Sequence, residues 1–214
     1  MTDGQRFGRL IRRAEPCVSI VTFEEAEAVQ MVRQAAIEMR RPLYLWSVGY
    51  GLREGILADS PAEPGTDSPG PALSHIAMSK EAVVYVMLDL GGHLSNEVNL
   101  RMLRDAVSAV EKCGASLVLI DAESRLPPVV RAYSRPFELS LPDEKELHKL
   151  VRATLRSEHR RRSFDVGISR QGMAAVVRNL RGLSRRQAQQ LVLETIADDR
   201  MFDELVTTFR AVAD

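Results

Sequence analysis

A chain of 214 residues is long enough for one well-buried domain, or one domain with a small appendage. Its 29 basic and 29 acidic residues cancel, which excludes the strong positive field that gathers nucleic acid or anionic membrane. Aromatic residues make up 5%, too few for a base-stacking surface, and no apolar run approaches the roughly 20 residues of a membrane-spanning helix.

Residues 1–15, MTDGQRFGRLIRRAE, are polar and basic, with Leu10 and Ile11 as their only adjacent apolar pair. They predict a loosely packed lead-in and carry no secretory hydrophobic core. CVSIV at 17–21 predicts the first buried strand. Thr22 and Glu25 have the spacing of a capping box, so a helix is expected there, with Val29, Val32, Ala36 and Met39 as its apolar stripe. Pro42 introduces a second strand over 43–48. Residues 49–79 change character, and SPAEPGTDSPGPA at 60–72 holds four of the ten prolines. That segment reads as a mobile loop inserted between strands.

The run EAVVYVMLDL at 81–90 is apolar from Ala82 to Leu88, with Val83, Val84 and Val86 among its β-branched residues. It predicts a strand covered on both faces of a mostly parallel sheet. It ends in Asp89, at the strand terminus where α/β proteins place ligands. A helix follows over 96–113, with Leu103, Ala106, Val107 and Val110 on one face and Gly114 at its end. ASLVLID at 115–121 and FELSL at 137–141 predict the fourth and fifth strands. Strands alternating with helices, without hairpin signals, argue for a three-layer α/β core around a five-stranded parallel sheet.

From Pro142 the pattern is helical. Asp143 with Glu146 caps a helix carrying Leu147, Leu150, Val151 and Leu155. Met173, Val176, Val177 and Leu180 mark a second; Ser184 with Gln187 opens a third through Leu191, Val192 and Ile196. Phe202, Leu205, Val206, Phe209 and Val212 predict a fourth. The expected organisation is a lead-in at 1–15, an α/β core at 16–141 and a helical subdomain at 142–214. Cys17 and Cys113 sit in apolar settings and read as reduced residues of a cytoplasmic protein. His75, His93, His148 and His159 lack companions at metal-site spacing.

This layout, with TFEEAEAV at 22–29, RPLYLWSVGYGLREG at 41–55, VVYVMLDL at 83–90, LPPVVR at 126–131, SLPDEKEL at 140–147 and GLSRRQAQQLV at 182–192, resembles an AAA+ ATPase module. It is similar in particular to the degenerate amino-terminal module of Ycf-type AAA+ proteins, over residues 16–213. The resemblance implies a P-loop-NTPase-like core followed by a helical lid, and an intact second module as the usual companion.

It also locates the chemistry. A working site needs a glycine-rich loop whose amides cradle phosphates, followed by Lys and Ser or Thr; no G-x-x-x-x-G-K-[ST] occurs in this sequence. Thr22, Glu24 and Glu25 stand where that loop belongs. Carboxylates at a helix amino terminus repel phosphate, or simply cap the helix. Asp89 matches the metal-holding acid of the ATPase strand, but Leu90 replaces the carboxylate that activates water; as a plain structural residue Asp89 caps the loop GGHLSN. Asp121 matches the polar sensor or caps its own loop. Arg185 and Arg186 match the sensing arginine of the lid, or form an exposed first helical turn. Arg131 and Arg135 precede the fifth strand, where the family carries the arginine that reaches a neighbour's site in trans; otherwise they are a solvated basic turn.

The expectation is therefore a catalytically inactive AAA+-like module, not an enzyme on its own and with no cofactor. It would act in assembly with an active AAA+ module or with further copies of itself, with neither membrane nor nucleic acid as partner. Two other readings stand beside it. One is an ATP or ADP site with Mg, rearranged around Asp89, Asp121 and Arg185. The other is a nucleic-acid adaptor acting through the basic run at 152–162, which holds Arg152, Arg156, His159, Arg160, Arg161 and Arg162.

Overall fold

The computed structural model describes residues 2–56, 60–161 and 170–197. The chain divides into two compact units, 1–139 and 140–214.

The first unit is built on a six-stranded sheet. Its strands are β1 (Cys17–Val21), β2 (Leu43–Ser47), β3 (Gly51–Glu54), β4 (Val84–Leu88), β5 (Ser116–Asp121) and β6 (Arg135–Phe137), in the order β3-β2-β4-β5-β1-β6. Alternate side chains of a strand point to opposite faces, so the unbroken apolar run of β4 requires cover on both. Tyr85 and Met87 pack into a core with α3 (Pro69–Ala77), α4 (Glu97–Cys113) and α5 (Pro128–Tyr133). Val84, Val86 and Leu88 pack into a second core with α1 (Asp3–Arg12) and α2 (Glu25–Glu38). This is the expected three-layer arrangement.

The sheet is mixed, where five parallel strands were expected. β3 runs antiparallel to β2, with Trp46 opposite Leu52 and Ser47 opposite Gly51. The hairpin signal is VGYG at 48–51, in which Gly51 takes φ +72° and so turns the chain without a Cβ penalty. The last strand is also displaced. It pairs Arg135 with Val18 and Phe137 with Ile20 and ends at Phe137, where the apolar alternation of FELSL had placed its start.

The lead-in is a correction too. Residues 3–12 form a helix closed by a reciprocal capping box between Thr2 and Gln5. Phe7 and Ile11, four residues apart on one face, are fully buried, and Phe7 meets the Phe137 ring edge-on at 5.5 Å. The basic residues around them hid a two-point apolar stripe. The 60–72 segment is only partly a loop. α3 begins at Pro69, a favourable first helical position, and Thr66 pins the stretch before it. Its carbonyl accepts from Trp46 Nε1 at 2.7 Å, and its Oγ1 accepts from the Leu52 amide at 2.9 Å.

The second unit is described by itself. α6 (Glu144–Arg161), α7 (Arg170–Asn179) and α8 (Arg185–Ala197) share a core of Leu147, Val151, Leu155, Val176, Leu180 and Val192. Asp143 Oδ1 accepts from the Glu146 amide at 2.8 Å, and Ser184 and Gln187 cap α8 reciprocally. The expected helix over 202–212 lies outside the described residues, as does Arg162.

Candidate functional site

The carboxyl edge of the sheet gathers three of the residues singled out by sequence. β5 lies between β4 and β1, and its end ties its neighbours' ends together. The Thr22 amide donates to the Asp121 carbonyl and the Asp89 amide to the Ile120 carbonyl, both at 2.9 Å. Thr22, Asp89 and Asp121 therefore stand side by side where each strand gives way to its loop.

At the first of these ends, three residues connect β1 to α2. Thr22 Oγ1 accepts from the Glu24 amide at 3.0 Å, so the capping-box reading is corrected. Thr22 closes a local turn, Glu24 is the N-cap residue, and no side-chain bond caps the helix. In this short connection one amide, that of Glu24, is already committed to Thr22. Glu25 opens the helix, and its carboxyl is held above the usual carboxylate range by partial burial and then by the charge of Asp89. Glu25 and Glu27 thus place carboxylates in the first turn of α2, at the positive end of the helix dipole.

Asp89 follows β4 in the left-handed region, φ 53°, a conformation that Asp tolerates better than most residues. It is exposed and leads into a 3-10 turn, Leu90–His93. The turn delivers a residue that sequence reasoning missed. The Gly91 amide donates to Asp121 Oδ1 at 2.7 Å. A Cβ on Gly91 would stand 2.8 Å from that same oxygen, so the contact requires glycine; the Gly91-Gly92 pair directly after the strand was the available signal. Asp121 is only 4% exposed. Its Oδ2 is buried and meets no hydrogen-bond partner among the described residues. Burial, followed by the charge of Asp89, pushes its carboxyl up against the opposing effects of Gly91 and Arg125. Asp89, Gly92, Asp121, Ala122, Glu123 and Arg125 line a hollow of about 170 Å³, below the roughly 300 Å³ at which small-molecule pockets begin. Arg125 is paired with Glu123 at 2.9 Å on its exposed rim.

The remaining candidates lie elsewhere. Arg131, on α5, is exposed. Arg135 is exposed on the edge strand at the level of Val18, three residues short of the end of β1. It therefore stands away from the carboxyl edge. Arg185 belongs to the second unit, where its guanidinium meets Glu146 Oε2 at 2.8 Å and the Ser140 carbonyl at 3.0 Å. With 14% of its side chain exposed, it is a tied residue and not a free helical turn. Arg186 follows it on α8. Arg152, Arg156, Arg160 and Arg161 lie exposed on α6. Among the described residues no cluster of His, Cys, Asp and Glu could hold a metal ion, and no helix is long and apolar enough to cross a membrane.

Residues 4–135 match a family model described as SpoVK-like AAA ATPase, N-terminal domain. Among solved structures, the chain is similar to C. elegans PCH-2, with a TM-score of 0.60 and 10% identity over 99% of this chain and 67% of that one. It is also similar to the FIGL-1 AAA domain in complex with ADP, with a TM-score of 0.55 and 13% identity over 90% of this chain and 64% of that one. A chain of the E. coli MS115-1 HORMA:CdnC:Trip13 complex gives 0.61 and 12%, over 92% and 74%. The chain thus spans about two thirds of the length of the first two, and at these identities the likeness concerns fold alone. No curated protein matches the sequence.

Proposed function

The chain belongs to the SpoVK-like AAA ATPase N-terminal-domain family, and from that premise we propose that it is a catalytically inactive AAA+ module that works by assembly with an active one. The α/β core is that of the AAA+ P-loop-like fold. The finer reading, a degenerate module of the Ycf type that precedes or accompanies an intact ATPase, is supported by one observation above all. Where β1 meets α2, three residues and a helix headed by Glu25 replace the glycine-rich loop and its lysine. In-line phosphoryl transfer consists mainly of positioning and charge neutralisation. This edge supplies neither, and Leu90 cannot activate water.

Such a module can still influence a partner's chemistry. Arg131 and Arg135 are exposed, and an arginine stabilises transition-state charge on a neighbour without a nucleotide of its own. The edge position of Arg135 on β6 suits reach outward and not toward Asp89. In this reading the helical unit after residue 139 is the lid, and Arg185 is a structural tie within it.

Isothermal calorimetry with Mg-ATP tests the reading. Binding weaker than about 1 mM, some 4 kcal/mol, is expected, and micromolar binding would overturn it. For the trans role, Arg131→Ala and Arg135→Ala are each mixed with an active partner module. A drop in that partner's turnover supports a finger; unchanged turnover with both removes it.

A further inference from the structure

We propose that the groove between α6 and α7 of the helical unit binds an acidic, amphipathic helix of a partner protein. The site lies within that unit, so it stands or falls independently of the chemistry at the carboxyl edge. Arg181, just past α7, meets Glu144, so the end of α7 lies beside the start of α6. Between the two helices runs an open groove of about 1110 Å³, larger than the roughly 300–1,000 Å³ of a small-molecule pocket.

Its walls carry one sign of charge. On α6, Lys145, Lys149 and Arg152 recur at spacings of four and three residues and so share one helix face. Arg178 on α7 and Arg181 stand across from them. Glu144 is the one acid among the described residues of the lining, and Arg181 already engages it. Lys145, Lys149, Arg152 and Arg178 are exposed and meet no carboxylate among the described residues. The excess belongs to this part of the chain: residues 140–197 hold 12 Lys and Arg against 6 Asp and Glu, although the whole sequence is balanced. Cations along both sides of a groove focus positive potential into it, and a row of carboxylates is what relieves their repulsion.

The floor decides which polyanion fits. Val177 is buried, Met173 half-buried and Ala174 exposed, so an apolar strip lies between the basic walls. An acidic amphipathic helix matches both parts. Its apolar side chains cover the strip, and its carboxylates meet the walls at the same spacing of three and four residues. The unbranched Met173 side chain adapts to such a partner. Nucleic acid matches the walls alone. Its bases stack on aromatic faces, and no Phe, Tyr or Trp occurs among the described residues of this unit.

The test is fluorescence anisotropy of a fluorescein-labelled peptide that repeats Glu-Leu-Glu-Glu-Leu-Leu-Glu twice, titrated with the full chain. It is run at about 0.15 M NaCl, where loose charge attraction is screened. Saturable binding is expected, at least about fivefold weaker for the same residues in scrambled order and absent when Gln replaces every Glu. Lys149→Glu on one wall and Arg178→Glu on the other are each expected to weaken it about fivefold or more. Arg160→Glu, the same charge change further along α6, should leave it within about twofold; all three positions are exposed. No saturable binding, equal binding of the scrambled or Gln peptide, or an equal loss in Arg160→Glu overturns the proposal. So does tighter binding of single-stranded oligo-dT with the same sensitivity to Lys149→Glu and Arg178→Glu, which would make the groove a nucleic-acid site. Sedimentation of the chain alone is expected to be unchanged by Lys149→Glu. Self-association that this variant abolishes would seat a second copy in the groove, and that too overturns the proposal.

Discussion

Replacing Phe7 by alanine is the sharpest test of how the first unit is held together. Phe7 is fully buried on α1 and packs edge-on against Phe137 with their planes at 86°. An aromatic side chain removes about 150–250 Å² from water, which at about 25 cal/mol per Å² corresponds to roughly 4–6 kcal/mol. Alanine retains part of that burial, and core Phe→Ala changes lose about 3–5 kcal/mol. The ring pair itself accounts for about 0.5–1.5 kcal/mol of this, separable by a double-mutant cycle with Phe137→Leu. Trp46 is the only tryptophan and is fully buried in the first unit, so its fluorescence during urea unfolding reports that unit without interference from the helical one. With a slope of about 2 kcal/mol per M, the midpoint is expected to fall by about 2 M. A fall below about 0.5 M would refute the reasoning and restore residues 1–15 to the status of a loose lead-in.

Thr66→Val keeps the shape but leaves the Leu52 amide and the Glu63 carbonyl without the hydroxyl they share. A loss of about 1–3 kcal/mol in the Trp46-detected transition is expected, with Thr66→Ser close to wild type. For Asp121 the folded carboxyl is raised chiefly by burial, so the native state favours the protonated form. The cost of its charge is absent below the ordinary carboxylate range and fully present above the raised value. The stability of Asp121→Asn relative to wild type is therefore expected to grow as the pH rises from the ordinary carboxylate range through the raised value; a flat or opposite difference contradicts the assignment. Arg185→Ala removes the contacts to Glu146 and Ser140. It is expected to destabilise the helical unit by about 1–2 kcal/mol, seen in methyl NMR of Leu147 and Leu180, while the Trp46 transition stays put.

What could be read in advance follows from the range of each signal. The apolar run of β4, the stripe of α4 with Asn96 and Gly114 at its ends, and the capping pairs Asp143–Glu146 and Ser184–Gln187 are local. Each is dictated by residues within one or two turns of one another. The β2–β3 hairpin was legible only through its glycines. The burial of α1 was obscured because Phe7 finds its partner 130 residues away on β6, and no window along the chain contains both.

That no G-x-x-x-x-G-K-[ST] string occurs is a property of the sequence alone, because the residues of that motif are contiguous and contiguity is visible in one dimension. Which groups gather at the carboxyl edge was decided by the sheet. Parallel pairing sets β5 between β4 and β1, and this brings Thr22, Asp89 and Asp121 to one edge. The 3-10 turn then directs the Gly91 amide at one oxygen of a carboxylate and leaves the other without a donor among the described residues. Burial of a polar atom is a relation between segments distant in sequence, so it exists only once the layers have closed around it.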